Sequence, residues 1–326
     1  MKLYPMKLIP ATKDIIWGGR RLIDSYNKSC DTERLAESWE LTVRPDGMSV
    51  VANGEYAART LGEFIDAAGV DVIGAGYDGD RFPLLIKLID ARDRLSIQVH
   101  PSDEYAQRNE NEYGKTEMWY IVEADEGAEL VFGLSSDYTP EKFKAALDAG
   151  RVEDMLHRVK VHAGEVYFIP SGLVHAIGAG ILICEIQQNS NVTYRVYDYN
   201  RPGADGKPRE LHVKKALDVI VNYTPAEIDE LRFSRLAKVP EPDDSGETLL
   251  AACDKFSVTR YDIYGRVAVD ADDTSFVSLT FTDGNGVISY DGCEYEFTKG
   301  DTYFLPAGMG RAEMRSEHAV AIAARI

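Results

Sequence analysis

The chain has 326 residues, 44% apolar and 28% charged, enough to bury a large core in two domains or lobes. Its formal charge of −18 sets it against nucleic acid and anionic membranes as partners, and no apolar run is long enough to span a bilayer. The start, Met1-Lys2-Leu3-Tyr4-Pro5, lacks the pattern of a secretory signal, and Cys30, Cys184, Cys253 and Cys293 show no Cys-x-x-Cys spacing, so free thiols in a reducing cytoplasm are expected.

Trp17-Gly18-Gly19 reads as a turn, and residues 38–43 as a strand ended by Arg44-Pro45-Asp46-Gly47. Thr60 with Glu63 three positions on predicts a capped helix over 60–68. Apolar runs at 82–89 and 95–100 predict strands, and Pro101-Ser102-Asp103 caps a short helix around 104–109. Strands follow at 118–122 and 129–133. Thr139-Pro140-Glu141 then opens a helix with Phe143, Ala146 and Leu147 on its apolar side, and a second helix is expected at 152–158. Further strands are predicted at 165–169, 181–187 and 193–198. The stretch 239–246, rich in Pro and Asp, reads as a linker. Beyond it come short strands at 256–264, 275–281, 286–289, 303–305 and 319–323, the pattern of an antiparallel sandwich or barrel.

The segment Gly164-Glu165-Val166-Tyr167-Phe168-Ile169-Pro170-Ser171-Gly172-Leu173-Val174-His175 parallels Gly300-Asp301-Thr302-Tyr303-Phe304-Leu305-Pro306-Ala307-Gly308-Met309-Gly310-Arg311. Each has Gly, an acid, a short strand and Pro-x-Gly, which points to two lobes of related fold. The copies differ at their end, where His175 becomes Arg311. Chemistry therefore belongs in the first lobe.

Gln98 and His100 lie two apart on a strand, so both side chains point to one face. Glu117 opens another strand, and His175 follows a Pro-x-Gly turn. Singly these read as a polar strand face, a surface charge and a hydrogen-bonded loop histidine. Jointly they form a ligand set for a borderline divalent metal, most simply zinc. His157, His162, His212 and His318 are assigned surface or core roles. Lys115 beside Glu117 suggests a neighbouring place for an anion. Arg195 lies within strand-like sequence, where an unpaired charge is costly, so it is grouped with Lys115 as an anion-binding and charge-stabilising residue, with Arg201 as a further candidate.

These residues resemble the type I mannose-6-phosphate isomerases of the cupin superfamily, in their short bacterial form. The resemblance runs from Trp17 to the C-terminus. It rests on Leu95-Ser96-Ile97-Gln98-Val99-His100-Pro101, Gly114-Lys115-Thr116-Glu117-Met118-Trp119-Tyr120, the Pro170-x-Gly172-x-x-His175 turn and Asn191-Val192-Thr193-Tyr194-Arg195. It implies a mainly β fold of two cupin-like jelly-roll barrel lobes, with a catalytic lobe at 1–240 carrying a small helical insertion about 139–158, and a degenerate, metal-free lobe at 241–326. It implies one zinc per chain held by His100, Glu117, His175 and Gln98. It places the active-site arginine at Arg195. Longer members have His-Lys-Pro-Glu where this chain has Gly114-Lys115-Thr116-Glu117, so that histidine has no counterpart here.

The reaction implied is the interconversion of mannose 6-phosphate and fructose 6-phosphate through a cis-enediolate, with a small-molecule phosphosugar as substrate and no nucleic acid or membrane as partner. Arg195 and Lys115 would carry catalytic charge stabilisation; Lys115, Arg195 and Arg201 would bind substrate. The general base stays open between Glu185, Lys115 and a solvent group on the metal. Two other readings fit the ligand set. An iron-dependent cupin oxygenase would show activity tied to iron and oxygen. A non-catalytic sugar-phosphate-binding protein is disfavoured by the intact ligand set of the first lobe. No sequence feature assigns an oligomeric state.

Overall fold

The computed structural model describes residues 2–135, 138–203, 206–232 and 245–326. The linker expected at 239–246 and the lobe boundary near 240 fall almost wholly outside them. Three sheets dominate. A five-stranded sheet runs in the order Leu156–Lys160, Glu129–Leu134, His175–Ile177, Ile97–Val99, Tyr194–Tyr197. A six-stranded sheet runs Val166–Ile169, Glu117–Ala124, Ile181–Gln188, Leu84–Ala91, Glu37–Leu41, Ala11–Lys13. An eight-stranded sheet carries most of the C-terminal part.

The six-stranded sheet lies in the middle. Its strands Leu84–Ala91 and Ile181–Gln188 are buried at every position, as expected of strands covered on both faces. Leu84, Ile86 and Leu88 join one core, shared with Phe304 and Ile322 of the eight-stranded sheet and with Phe276, just ahead of its strand Val277–Tyr290. Ile89 and Ala91 point the other way and pack with Leu130, Phe132 and Ile177 of the five-stranded sheet. The outer face of that sheet, with Ile97, Val99 and Val196, is covered by Phe143 of the helix Pro140–Asp148 and Ala216 of Val213–Val219. The mainly β class read from the sequence is what the chain adopts. Its sheets are open layers; among the described residues none closes into a barrel.

The helix expected at 152–158 is corrected. Only Val152–Met155 turns, as a 3₁₀ segment, and Leu156–Lys160 is an edge strand with Val159 opposite Leu130. Val159 is buried between exposed Arg158 and Lys160, so the two-residue period of a sheet edge outweighed helix propensity. The short C-terminal strands merge into long ones, Ser257–Ala271, Val277–Tyr290 and Gly310–Arg325, interrupted by register shifts. Thr60 and Glu63 make the predicted capping box for Leu61–Ala68.

Met6–Ile9 pairs with Thr302–Leu305 on one side and Val50–Val51 on the other, so the eight-stranded sheet draws on both ends of the chain. The internal repeat is also a repeat of backbone. Gly164 and Gly300 take φ of +89° and +93°, and Gly172 and Gly308 +88° and +75°, values open to glycine at little cost. His175 at the end of the first copy is buried, whereas Arg311 in the second is exposed.

Candidate metal centre

Strand register assembles the site. Gln98 is the Cα partner of His175 on one side and of Arg195 on the other, so the three side chains share one face of the five-stranded sheet. Across the gap, the six-stranded sheet presents Glu117 and Glu185. Glu117 stands opposite Gln187, and Glu185 opposite Trp119 and Lys87. His100 follows directly on the strand Ile97–Val99, and its carbonyl accepts the N–H of Gly172, which ties the Pro170-x-Gly172 turn to the same edge.

His100, Glu117 and His175 are each 0% exposed, and their ligand atoms lie within 4.8 Å of one another. His100 Nδ1 lies 2.9 Å from the Val192 carbonyl and His175 Nδ1 2.8 Å from that of Leu173. A carbonyl only accepts, so both Nδ1 atoms carry the proton and both Nε2 atoms present lone pairs. Those Nε2 atoms face each other at 3.2 Å, a repulsive contact in this protonation state. Glu117 Oε1 is 3.4 Å from His175 Nε2 and accepts no hydrogen bond, while Oε2 is 3.7 Å from His100 Nε2. Two converging lone pairs and a buried carboxylate oxygen without a donor fit a divalent cation, and carbonyl-anchored imidazoles are the usual support for such ligands. Burial pushes both imidazoles down, His100 well below its ordinary value with Lys115 and His175 adding to the effect, and His175 to about 4. Both are therefore neutral, as ligands must be.

Lys115 Nζ sits 2.8 Å from Glu117 Oε2 and 3.3 Å from His100 Nε2. Burial, then Glu185, pushes the Glu117 carboxyl up to about 7, with Lys115 opposing. Glu185 goes the other way. Burial raises it, but Lys87 and Lys115 outweigh that and hold it down near about 2. Its Oε2 accepts the Trp119 indole N–H at 3.0 Å and its Oε1 lies 3.1 Å from Lys87 Nζ.

A cavity of about 140 Å³ opens over these groups, lined among others by Gln98, Lys115, Lys87, Glu185, Arg195 and Arg209. Gln98, Lys115 and Arg195 of the sequence-based set are thus brought together. Arg201 is not. Its guanidinium donates to the Arg94 carbonyl at 2.6 Å and to Asp198 at 2.7 Å, and it lines no part of the cavity. Sequence reasoning passed over Lys87 and Arg209. Lys87 carried a signal, a charge within the apolar run 82–89. Position 114 has no room for a side chain: a Cβ there would lie 2.4 Å from the Asp103 nitrogen at the start of the helix Asp103–Glu110.

A family model described as phosphomannose isomerase type I, catalytic domain, matches residues 6–144, and a mannose-6-phosphate isomerase cupin-domain model matches 246–324. The YvyI protein of Bacillus subtilis is 40% identical over 311 residues, 95% of each chain. The chain belongs to the type I phosphomannose isomerase family. The mannose-6-phosphate isomerase ManA of the same organism is 38% identical, covering 96% of each chain. The crystal structure of the mannose 6-phosphate isomerase from Bacillus subtilis superposes with a TM-score of 0.86 at 36% identity, covering 99% of each chain.

Proposed function

We propose that this chain is a metal-dependent isomerase that interconverts mannose 6-phosphate and fructose 6-phosphate through a cis-enediolate. The observation behind this reading is the buried His100–Glu117–His175 group, joined through Lys115, whose Nζ lies 2.8 Å from Glu117 Oε2, to a polar cavity that Lys115, Gln98 and Arg195 line. On this reading one zinc per chain is held by His100, Glu117 and His175, with Gln98 beside them as the fourth ligand. Bound there, the ion supplies Lewis acidity at the sugar's carbonyl end. On the same reading the catalytic part is 1–240, and 241–326 is a metal-free structural lobe. The scattered cysteines, all unpaired, suit a cytoplasmic enzyme.

The chain's own residues supply the rest. Moving a proton between C2 and C1 builds negative charge on O1 and O2. Arg195 and Lys115 face that charge as preorganised donors, each worth about 3–4 kcal/mol in the transition state when well placed. Glu185, kept ionised by Lys87 and Lys115, is available to take the proton, and its bond to Trp119 fixes the carboxylate plane. The neighbouring Lys115 is the alternative base.

A coupled assay for fructose 6-phosphate, run on zinc-replete protein with mannose 6-phosphate as substrate, tests the reading. Turnover that disappears with a chelator and returns with zinc is expected. No isomerisation from the metal-loaded protein, or activity that needs iron and oxygen, would sink it.

A further inference from the structure

Around Asp198 the chain gathers more positive charge than it neutralises. Asp198 is buried and accepts from Arg201 Nη2, Arg209 Nε and Arg209 Nη2, each at 2.7 Å. One carboxylate therefore serves two guanidinium groups, and the only other carboxylate paired with them among the described residues is Asp93, whose Oδ2 lies 3.9 Å from Arg201 Nη1. Arg195 stands close by, with its Nη1 bonded to the Glu210 carbonyl at 2.9 Å and its Nε to Ser96 at 3.3 Å. No carboxylate of the described residues pairs with Arg195. Its guanidinium is held below its ordinary range, by burial first and by Arg209 next.

The three arginines differ in what is left over. Arg201 donates from both Nη atoms, keeps only a buried Nε without an acceptor, and faces the Tyr199 ring, outside the cavity. Arg209 spends Nε and Nη2 on Asp198, and its Nη1 has no acceptor among the described residues. Arg195 likewise keeps Nη2 without an acceptor. Both arginines with an unspent Nη atom line the cavity that Lys115 and Glu185 also line. The chain holds them there: the His212 N–H donates to the Arg195 carbonyl at 2.7 Å, and Glu210, next to Arg209, supplies the carbonyl that clamps Arg195. Two like charges so placed, in a protein of net charge −18, call for an anion between them. Guanidinium N–H groups at fixed positions suit a phosphate better than a single ammonium does.

We propose that Arg209, paired with Arg195, is the seat of the substrate's phosphate, and that Asp198 is the positioning residue that aims Arg209 into the cleft. This rests on the isomerase reading above and deepens it. It moves to Arg209 the phosphate-side role that the sequence suggested for Arg201. Arg209 would distinguish a phosphorylated sugar from a free one, and Asp198 would act only through Arg209.

The test uses the zinc-loaded full chain, with mannose 6-phosphate as substrate and inorganic phosphate as a competing probe. Losing a charged hydrogen bond to the phosphate in Arg209→Gln should raise both KM and the inhibition constant of inorganic phosphate by about 10–100-fold, with kcat changed far less. Arg209→Lys should recover part of the phosphate affinity, and Asp198→Asn should shift both constants in the same direction by a smaller factor. Circular dichroism melting identifies a variant that has lost its fold, and the lysine variant then carries the test. Unchanged KM and phosphate inhibition in a folded Arg209→Gln would overturn the proposal. So would a loss confined to kcat. Wild-type protein without isomerase activity would instead overturn the functional reading, and direct binding of inorganic phosphate would still test the arginine pair.

Discussion

Lys87 and Glu185 are direct cross-strand partners whose charges meet at 3.1 Å inside the sandwich. Each side chain is about one-twentieth exposed, and Lys87 also lies 3.7 Å from Glu37. Removing one member of a buried pair leaves the other uncompensated, at about 3–5 kcal/mol. Lys87→Met should therefore lower stability by that order in urea denaturation and reduce turnover, because Glu185 loses the cation that keeps it ionised. A variant as stable as wild type would show that the pair contributes nothing.

His175→Ala removes one of the two imidazoles that converge on the site. Loss of one imidazole from so small a ligand set should abolish stoichiometric zinc and activity together. Metal content by plasma emission, measured beside the isomerase assay, decides it. Retention of one zinc per chain would refute the ligand assignment.

Arg195→Ala should separate charge stabilisation from metal binding. Its guanidinium is anchored by Ser96 and Glu210 rather than by the His–Glu–His group. Zinc should stay near the wild-type level while kcat falls about 10²–10³-fold, with KM rising as well because Arg195 shares the phosphate seat. Normal turnover in the alanine variant would remove Arg195 from the mechanism.

Gly114→Ala tests how closely the helix Asp103–Glu110 supports Lys115. The added Cβ meets backbone at 2.4–2.5 Å, from the Asp103 nitrogen and the Ser102 carbonyl carbon. Backbone must shift, at about 1–3 kcal/mol for overpacking of this kind. Because Lys115 N donates to the Pro101 carbonyl, the displacement reaches the ammonium beside Glu117. Lower melting temperature together with lower turnover is expected; wild-type values for both would contradict the packing.

Asp103 gives a pH signature. Burial pushes its carboxyl up, but Lys255, the Gly114 N–H and the Gln188 amide outweigh that and hold it below the ordinary value. A depressed folded-state pKa contributes stability that is complete above the unfolded value of about 3.9 and fades as pH falls through the folded value. Asp103→Asn should therefore be less stable than wild type at pH 7, with the gap closing below about pH 4. Urea midpoints at the two pH values measure it, and a gap that stays constant would assign the loss to shape instead of charge.

Much of the site could be read before the fold. The two-residue spacing of Gln98 and His100 fixes a common face in any strand, and Pro170-x-Gly172 placed His175 at a turn. Lys115 and Glu117 are neighbours in sequence and remain so in space. Arg209 was hidden because its approach to Arg195 depends on Asp198, eleven residues earlier, drawing the chain back across the sheet end. The helix Pro225–Leu231 carries the same Thr-x-x-Glu capping box, Thr224 with Glu227, that revealed Leu61–Ala68, so there the signal was present and unread. At Leu156–Lys160 local propensity pointed to helix, and pairing with Glu129–Leu134 decided otherwise.

The pairing of Met6–Ile9 with Thr302–Leu305 has a consequence for synthesis. Met6 leaves the ribosome long before Phe304, its cross-strand partner; at 5–20 residues per second the wait is roughly 15–60 s. Val50–Val51 can join Met6–Ile9 sooner, but so short a two-stranded ladder is marginal in water. Met6 and Leu8 thus remain uncovered while the sandwich that carries His100, Glu117 and His175 already has its strands. A nascent chain stalled before residue 302 would expose an apolar strand edge, a template for aggregation. A strand translated some three hundred residues later, Thr302–Leu305, is therefore what closes the one at Met6–Ile9.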